Sequence, residues 1–230
     1  MSTMTTPAGL IKPPTLPRTS APRVRAATPA DLPRLAKVLT QAFADDPVTA
    51  WCFPYERDRV ERLGRFYAEI FLPRMALGRD EIYTDHGLNG VASWTPPGLG
   101  HMSTIDNLRL LPRLAAVCGR GLPRALRSLS YLESQFPAEP HWHLPFLGVV
   151  PESQGHGIGS RLMRPILERC DREGTPAYLE ASTPRNLALY LRHGFVVLDE
   201  IRLPGGGPPM WRMWREPAMT SEHPGSDARR

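Results

Sequence analysis

Apolar residues along the chain fall into short strand-like segments separated by longer segments at helical spacing. Apolar runs bounded by turn residues predict strands at 24–27, 81–84, 91–94, 142–150, 177–182, 195–203 and 210–214. Residues spaced three and four apart predict helices over 29–43, 57–72, 105–117 and 122–136, and a loop at 44–47. Two further helices are predicted, one after a Gly-rich turn at 154–160 and a short one between Thr183-Pro184 and His193-Gly194.

Length and composition predict one domain with two tails. The 230 residues are 41% hydrophobic, which suffices for one buried core. We expect a disordered Thr-, Pro- and Ala-rich tail at 1–22, a domain at 23–217 and a polar tail at 218–230. Neither a signal peptide nor a membrane-spanning segment is expected. Three cysteines without metal-ligand spacing favour a reducing, cytoplasmic location.

Charge argues against a nucleic-acid partner. The formal net charge is +5, but the 28 basic residues are scattered and interleaved with acidic ones. A nucleic-acid-binding surface would concentrate them on one face or stripe. The composition leaves the oligomeric state open, and a homodimer is compatible with it.

The Gly-rich turn at 154–160 predicts an anion-binding site. Its sequence is Gln-Gly-His-Gly-Ile-Gly-Ser, between a strand and a helix. Glycines let backbone N–H groups approach a ligand, and the unpaired N–H groups of a helix N-terminus favour phosphate. The turn lacks the Gly-Lys-Ser/Thr of a Walker A loop and does not fit Gly-x-Gly-x-x-Gly. A tight turn with glycines for packing is the alternative.

Two segments resemble the GNAT superfamily of N-acetyltransferases. Gln-x-x-Gly-x-Gly, preceded by Val149-Val150-Pro151, resembles the pyrophosphate-binding motif of that superfamily, whose ligand is coenzyme A. The run 186–190, followed by Gly194-Phe195, resembles its second cofactor segment. The stretch 149–197 is similar to puromycin N-acetyltransferase and its relatives. The resemblance implies an α/β GNAT acyl-CoA N-acyltransferase fold, with a mixed twisted sheet of six to seven strands, flanked by helices and splayed at the cofactor-binding strands.

The resemblance also implies which residues bind acetyl-CoA. Backbone groups of 147–150 would pair with the pantetheine arm, 154–160 would hold the pyrophosphate, and Asn186 on the next helix would bond the pantetheine. The Val149 N–H is the expected donor to the developing oxyanion. The predicted cofactor-binding residues are Leu147, Gly148, Val149, Val150, Gln154, Gly155, His156, Gly157, Ile158, Gly159, Ser160, Asn186, Leu189 and Tyr190.

Amine acetylation also needs a general acid and a route for the amine proton. Tyr190 matches the tyrosine of the second motif, and a neutral phenol can protonate a departing thiolate. For the base, His143 lies eleven residues before Gln154, where histone-type members carry glutamate, and Glu180 matches a glutamate of the puromycin group. Ordered water without a protein base is the third alternative. His141-x-His143 has no further ligands nearby in sequence, so no metal is predicted.

Three functions remain open at this stage. The resemblance favours acetylation of a small-molecule amine, similar to an aminonucleoside or antibiotic amine. Acetylation of a protein lysine or N-terminus uses the same fold and donor, and a non-catalytic acetyl-CoA-binding regulator is the third. A closed acceptor pocket lined by Trp51, Phe53 and Tyr67 would favour the small molecule, and an open groove would favour a protein.

Overall fold

A seven-stranded sheet lies at the centre of the computed structural model, which describes residues 23–55, 57–99 and 104–218. The tail predicted at 1–22, and all of the C-terminal tail except Ala218, lie outside the described residues. The strands are β1 (Val24–Ala26), β2 (Glu81–Asp85), β3 (Gly90–Thr95), β4 (Trp142–Val149), β5 (Ala177–Ala181), β6 (Val196–Arg202) and β7 (Pro209–Arg215). Their spatial order is β1-β2-β3-β4-β5-β7-β6.

Only one of the strand pairings described is parallel. Strands β4 and β5 run parallel, because a helix connects them across one face of the sheet. The other five neighbouring pairs are antiparallel. This confirms the mixed sheet that the sequence predicts.

The helices cover both faces of the sheet. They are α1 (Leu32–Ala42), α2 (Pro47–Cys52), α3 (Arg59–Arg65), α4 (Pro73–Ala76), α5 (Thr104–Cys118), α6 (Leu122–Ser134), α7 (Ile158–Glu173) and α8 (Pro184–Leu191). Helices α7 and α8 pack on one face, where Leu162, Met163 and Ile166 are fully buried. On the opposite face, Leu35 and Leu39 of α1 join Leu63 of α3 in a second apolar core. The sheet is therefore buried between two helical layers.

Helix α2 begins inside the segment that the sequence predicts as a loop. Asp46 has extended backbone and accepts hydrogen bonds from the Val48 and Thr49 N–H groups at 2.9 and 3.1 Å. Pro47 follows at the first helical position, where its missing N–H costs nothing. The Asp-Pro pair was thus a helix start signal rather than only a loop signal.

The predicted helix at 57–72 is correct in place but changes type halfway. After α3, residues Phe66–Phe71 form a π-helix, and the Leu72 N–H donates to the Tyr67 carbonyl at 2.9 Å. Tyr67 and Phe71 both pack edge-on against Phe146 of β4, with ring centroids 5.3 and 4.4 Å apart. Short π segments of this kind often occur at functional sites.

Candidate active site

The two central strands separate shortly after they begin to pair. Strands β4 and β5 share register at only two positions, Trp142 with Ala177 and His143 with Tyr178. Pro145 follows, in the part of β4 where the register with β3 shifts. A proline cannot donate to a ladder and is tolerated in a central strand only at such irregularities. Beyond it, a gap opens between β4 and β5, as the resemblance implied.

The end of β4 presents backbone groups to this gap. The Val150 N–H donates to the Asn89 carbonyl at 2.9 Å, so Val150 faces the β3 side. Because backbone groups alternate in direction along a strand, Gly148 also pairs towards β3, whereas Leu147 and Val149 face the gap. The Val149 carbonyl accepts a hydrogen bond from Gln154 Nε2 at 3.0 Å. Of the four predicted β4 residues, Leu147 and Val149 are thus the two whose backbone groups can reach a ligand there.

Gly148 has a different structural role. A Cβ atom built on it would lie 2.9 Å from the Ala42 Cβ and 3.2 Å from Leu39 Cδ2. Because the first of these distances is too short for two carbon atoms, α1 can lie against β4 only where this residue has no side chain. The glycine therefore brings the N-terminal helices close to the gap.

The Gly-rich turn leaves the N-terminus of α7 exposed to solvent. Gly155 and Gly157 have φ angles of 78° and 71°, and Gly157 is the N-cap residue of the helix. The turn itself is exposed from Gln154 to Gly157. The first N–H groups of α7 have no partners within the helix and carry the positive end of its dipole. This geometry fits a pyrophosphate.

Arg161 adds a positive charge that was not among the predicted site residues. Its Nη1 lies 3.2 Å from the position that a Gly157 Cβ would occupy, and its Nε is buried without a hydrogen-bond partner among the described residues. A cation close to a helix N-terminus opposes the dipole unless an anion is bound. The arginine near the start of α7 was therefore a readable signal for an anionic ligand.

Three predicted cofactor segments meet at Gly159. A Cβ atom built on Gly159 would lie 3.5 Å from Leu189 Cδ2 of α8 and 3.8 Å from Leu147 Cδ2 of β4. Asn186 is exposed on the first turn of the same α8. The fold therefore brings the end of β4, the start of α7 and the exposed side of α8 together around one mouth of the gap.

Tyr190 lies on the inner side of α8. It is buried, and its ring packs against Phe195 with centroids 6.1 Å apart. Burial raises the pKa of Tyr190 well above its ordinary value, and the Asp46 carboxylate adds to the increase. The hydroxyl is therefore protonated at neutral pH, so it can donate a proton or a hydrogen bond but cannot act as a base.

The two alternative bases are hydrogen-bonded to each other. His143 Nε2 lies 2.8 Å from Glu180 Oε2, and both side chains are almost completely buried. Phe136 packs edge-on against the His143 ring, with centroids 4.8 Å apart. Glu180 Oε1 and the neighbouring Tyr178 hydroxyl are buried without hydrogen-bond partners among the described residues. Burial, with Glu180 second, raises the pKa of Tyr178 well above its ordinary value.

Asp46 reaches the same side of the gap from the start of α2. The Ser182 hydroxyl, just beyond β5, donates a hydrogen bond to Asp46 Oδ2. The carboxylate also contributes to the raised pKa values of Tyr190 and Tyr67. Asp46 thus joins the start of α2 to the end of β5, and it was not among the predicted site residues.

An apolar cavity of about 180 Å³ opens beside Asp46. It lies between α2, α3, α5, α6 and Phe146 of β4. Phe53 and Tyr67 line it, as expected for a closed pocket, but Trp51 does not. Trp51 instead stacks under Arg124, whose guanidinium carbon is 4.5 Å from the ring centroid.

Across 23–55, 57–99 and 104–218, no group of three or more His, Cys, Asp and Glu side chains could hold a metal ion. No helix in the same part of the chain is long and apolar enough to cross a membrane.

Comparisons with known proteins agree with this geometry. The profile of the Acetyltransferase (GNAT) family matches residues 116–195. An uncharacterized N-acetyltransferase of Schizosaccharomyces pombe is 29% identical over 204 residues, covering 84% of this chain and 82% of that protein.

Two solved structures have the same fold. One is described as histone acetyltransferase HPA2 and related acetyltransferase from Corynebacterium glutamicum. It is 28% identical, with a TM-score of 0.67, over 88% of this chain and 99% of that one. The other is a polyamine N-acetyltransferase of Drosophila melanogaster, 16% identical with a TM-score of 0.55, over 84% and 98% of the two chains.

A strand pair that separates beside an exposed helix N-terminus is the arrangement expected of a transferase that binds an acyl-CoA. The match of residues 116–195 to the GNAT family, together with the similarity to the S. pombe relative and the C. glutamicum structure, supports a GNAT-superfamily N-acetyltransferase that uses acetyl-CoA.

Gly159→Ala tests whether the cofactor phosphates lie against the start of α7. The new methyl group makes only ordinary contacts with Leu189 and Leu147, and alanine favours a helix. We expect unchanged or slightly higher stability, but at least about tenfold weaker acetyl-CoA binding, because the methyl group separates phosphate from backbone N–H. Calorimetric titration and denaturant unfolding measure the two quantities.

The matched control is Gly64→Ala in α3. Its Cβ would lie 3.4 Å from Thr40 Oγ1, which is also an ordinary contact, and it lies in a different helix from the turn. This variant should bind acetyl-CoA as tightly as the native protein. If Gly159→Ala does the same, the pyrophosphate is held elsewhere.

Proposed function

We propose that this enzyme acetylates a primary amine of a small molecule by direct attack, with donor and acceptor bound together. Acetyl-CoA supplies the acetyl group as a thioester. The residues of the chain bind and orient the two reactants, remove a proton from the amine and return one to the leaving sulfur.

The cofactor side of the proposal rests on the open turn and the gap. The amides of 155–160 and the Arg161 guanidinium would hold the pyrophosphate. The gap-facing backbone of Leu147 and Val149 would pair with the pantetheine arm as an added strand, with Asn186 and Leu189 along its other side. The Val149 N–H would then point at the carbonyl oxygen that gains negative charge.

Proton transfer is assigned to His143 and Tyr190. In the proposal, His143 accepts the amine proton, directly or through water, and Glu180 holds its ring by the 2.8 Å hydrogen bond. Tyr190, kept protonated by burial, donates to the departing sulfur.

The apolar cavity beside Asp46 is the observation that favours a small-molecule acceptor. An extended peptide needs an open groove, whereas α2, α5 and α6 lie over this side of the sheet. The similarity to the C. glutamicum protein, which is described as a histone acetyltransferase, keeps acetylation of a protein lysine as the second candidate.

Free-thiol release from acetyl-CoA distinguishes these functions. The acceptors are a panel of small amines, including puromycin and simple polyamines, and lysine-containing peptides alongside. Release that depends on a small amine supports the proposal. Release with peptides alone contradicts it, and binding of acetyl-CoA without any release supports the regulator.

A further inference from the structure

We propose that the acceptor is a singly charged primary amine with a compact apolar tail. The ammonium group would bind Asp46, and the tail would lie in the cavity between α2, α3, α5 and α6. This inference rests on the proposed function and names the class of its substrate.

The size of the cavity limits the tail. An engineered apolar cavity of about 150 Å³ is large enough to bind benzene. The present cavity of about 180 Å³ therefore accepts one aromatic ring or an alkyl chain of about six carbons. Burying that tail without leaving a void is favourable, since each methylene removed from water contributes to binding.

The lining of the cavity argues against a second charge on the tail. None of the described residues that line it carries a charge. Burial raises the pKa of the Cys52 thiol to about 12 and that of the Cys118 thiol to about 11, so this environment disfavours charged groups. An ammonium group at the far end of a diamine would lie there without a partner, at a large cost.

Asp46 supplies a negative charge beside the cavity, where the ammonium group of the acceptor would bind. Val48 and Thr49, whose N–H groups bind the carboxylate, also line the cavity. The same carboxylate accepts a hydrogen bond from Ser182, just beyond the end of β5. An amine bound at Asp46 would therefore lie between the cavity and the end of β5, beside the gap.

Two partly exposed leucines lie at the edge of the cavity. Leu126 and Leu129 of α6 line the cavity and are 36% and 46% exposed. An exposed apolar rim at the mouth of an apolar cavity suits an apolar ligand.

The decisive comparison is hexylamine against 1,6-diaminohexane, which differ only in the second ammonium group. We expect kcat/KM to be at least about a hundredfold higher for hexylamine, because the diamine must bury an unpaired charge. Equal or faster turnover of the diamine, or of agmatine, overturns this inference and leaves the proposed function standing. Turnover of lysine peptides alone overturns both.

Substitution of a residue that lines the cavity tests whether the apolar tail of the acceptor binds there. Ala125→Leu fills part of the cavity and should lower kcat/KM for hexylamine and 2-phenylethylamine about tenfold, while ethylamine is unaffected. Ala116→Leu, on the exposed side of α5, is the matched control and should change neither. If Ala125→Leu spares hexylamine, its tail does not lie in the cavity.

Asp46→Asn tests the ammonium site. Asparagine caps a helix as well as aspartate does, so α2 is preserved while the charge is lost. The KM for hexylamine should rise at least about tenfold, and the KM for acetyl-CoA should stay unchanged. An unchanged KM for the amine contradicts the role of Asp46.

Discussion

Replacing Tyr190 with phenylalanine should lower kcat by about a hundredfold or more, which is the range for loss of a general acid. The ring stays in its buried position against Phe195, so the change removes one hydroxyl and little packing. Acetyl-CoA binding should be retained, because the turn at 154–160 and the end of β4 are untouched. Steady-state kinetics with an accepted amine, together with calorimetric titration of acetyl-CoA, separates the two effects.

Tyr83→Phe is the matched control, because it also removes one phenol hydroxyl but lies outside the candidate site. Tyr83 of β2 is half-buried, and its hydroxyl donates to Glu81 at 3.1 Å. Tyr83→Phe should leave kcat within about twofold of the native value. If Tyr190→Phe also keeps full activity, sulfur leaves without help from this residue, and Tyr190 is only an aromatic of the core.

The order of helices and strands was readable from the sequence because each element carries a local signal. All seven strands fall where apolar runs and turn residues predicted them, and the motif at 154–160 identified the helix start that faces the gap. The positive φ angles of Gly155 and Gly157 show why this turn needs glycine. The two exceptions, α2 and the π-helix, depend on a short capping signal and on aromatic packing against Phe146.

The separation of β4 from β5 also had a local signal, which did not enter the prediction. Pro145 lies in the middle of an apolar run that otherwise resembles a continuous central strand. Because proline cannot join a ladder there, its presence indicates an interruption of pairing. The described pairing of β4 with β5 ends two residues before this proline, where the gap proposed for the cofactor begins.

The acceptor side was less predictable because its contacts join distant parts of the chain. Asp46 and Ser182 are 136 positions apart, and no periodicity relates them. His143 and Glu180 are 37 positions apart on two strands whose register becomes known only from the structure. Each residue could be proposed separately from the resemblance, but their hydrogen bond could not.

Because His143 and Glu180 are hydrogen-bonded to each other, they need not be alternative bases. One of them can accept the proton while the other holds it in position. A buried carboxylate that shares a hydrogen bond with a ring nitrogen fixes the orientation of that ring. His143→Gln should therefore lower kcat about a hundredfold or more, because the group that accepts the amine proton is lost. Glutamine can still donate to Glu180, so the fold is preserved.

Glu180→Gln should have a smaller effect, about tenfold, since the ring remains able to accept a proton. The double variant should be no slower than His143→Gln alone, because Glu180 acts through His143. His141→Gln, just before the start of β4, is the control and should leave kcat unchanged.

Other outcomes would assign the roles differently. If Glu180→Gln alone is as slow as the double variant, the carboxylate is the base and the histidine positions it. If both single variants retain native kcat, water removes the amine proton without either side chain, and the buried pair only fastens β4 to β5 at the start of the gap. Because the rates of the two single variants and the double variant differ among these cases, one kinetic series decides between them.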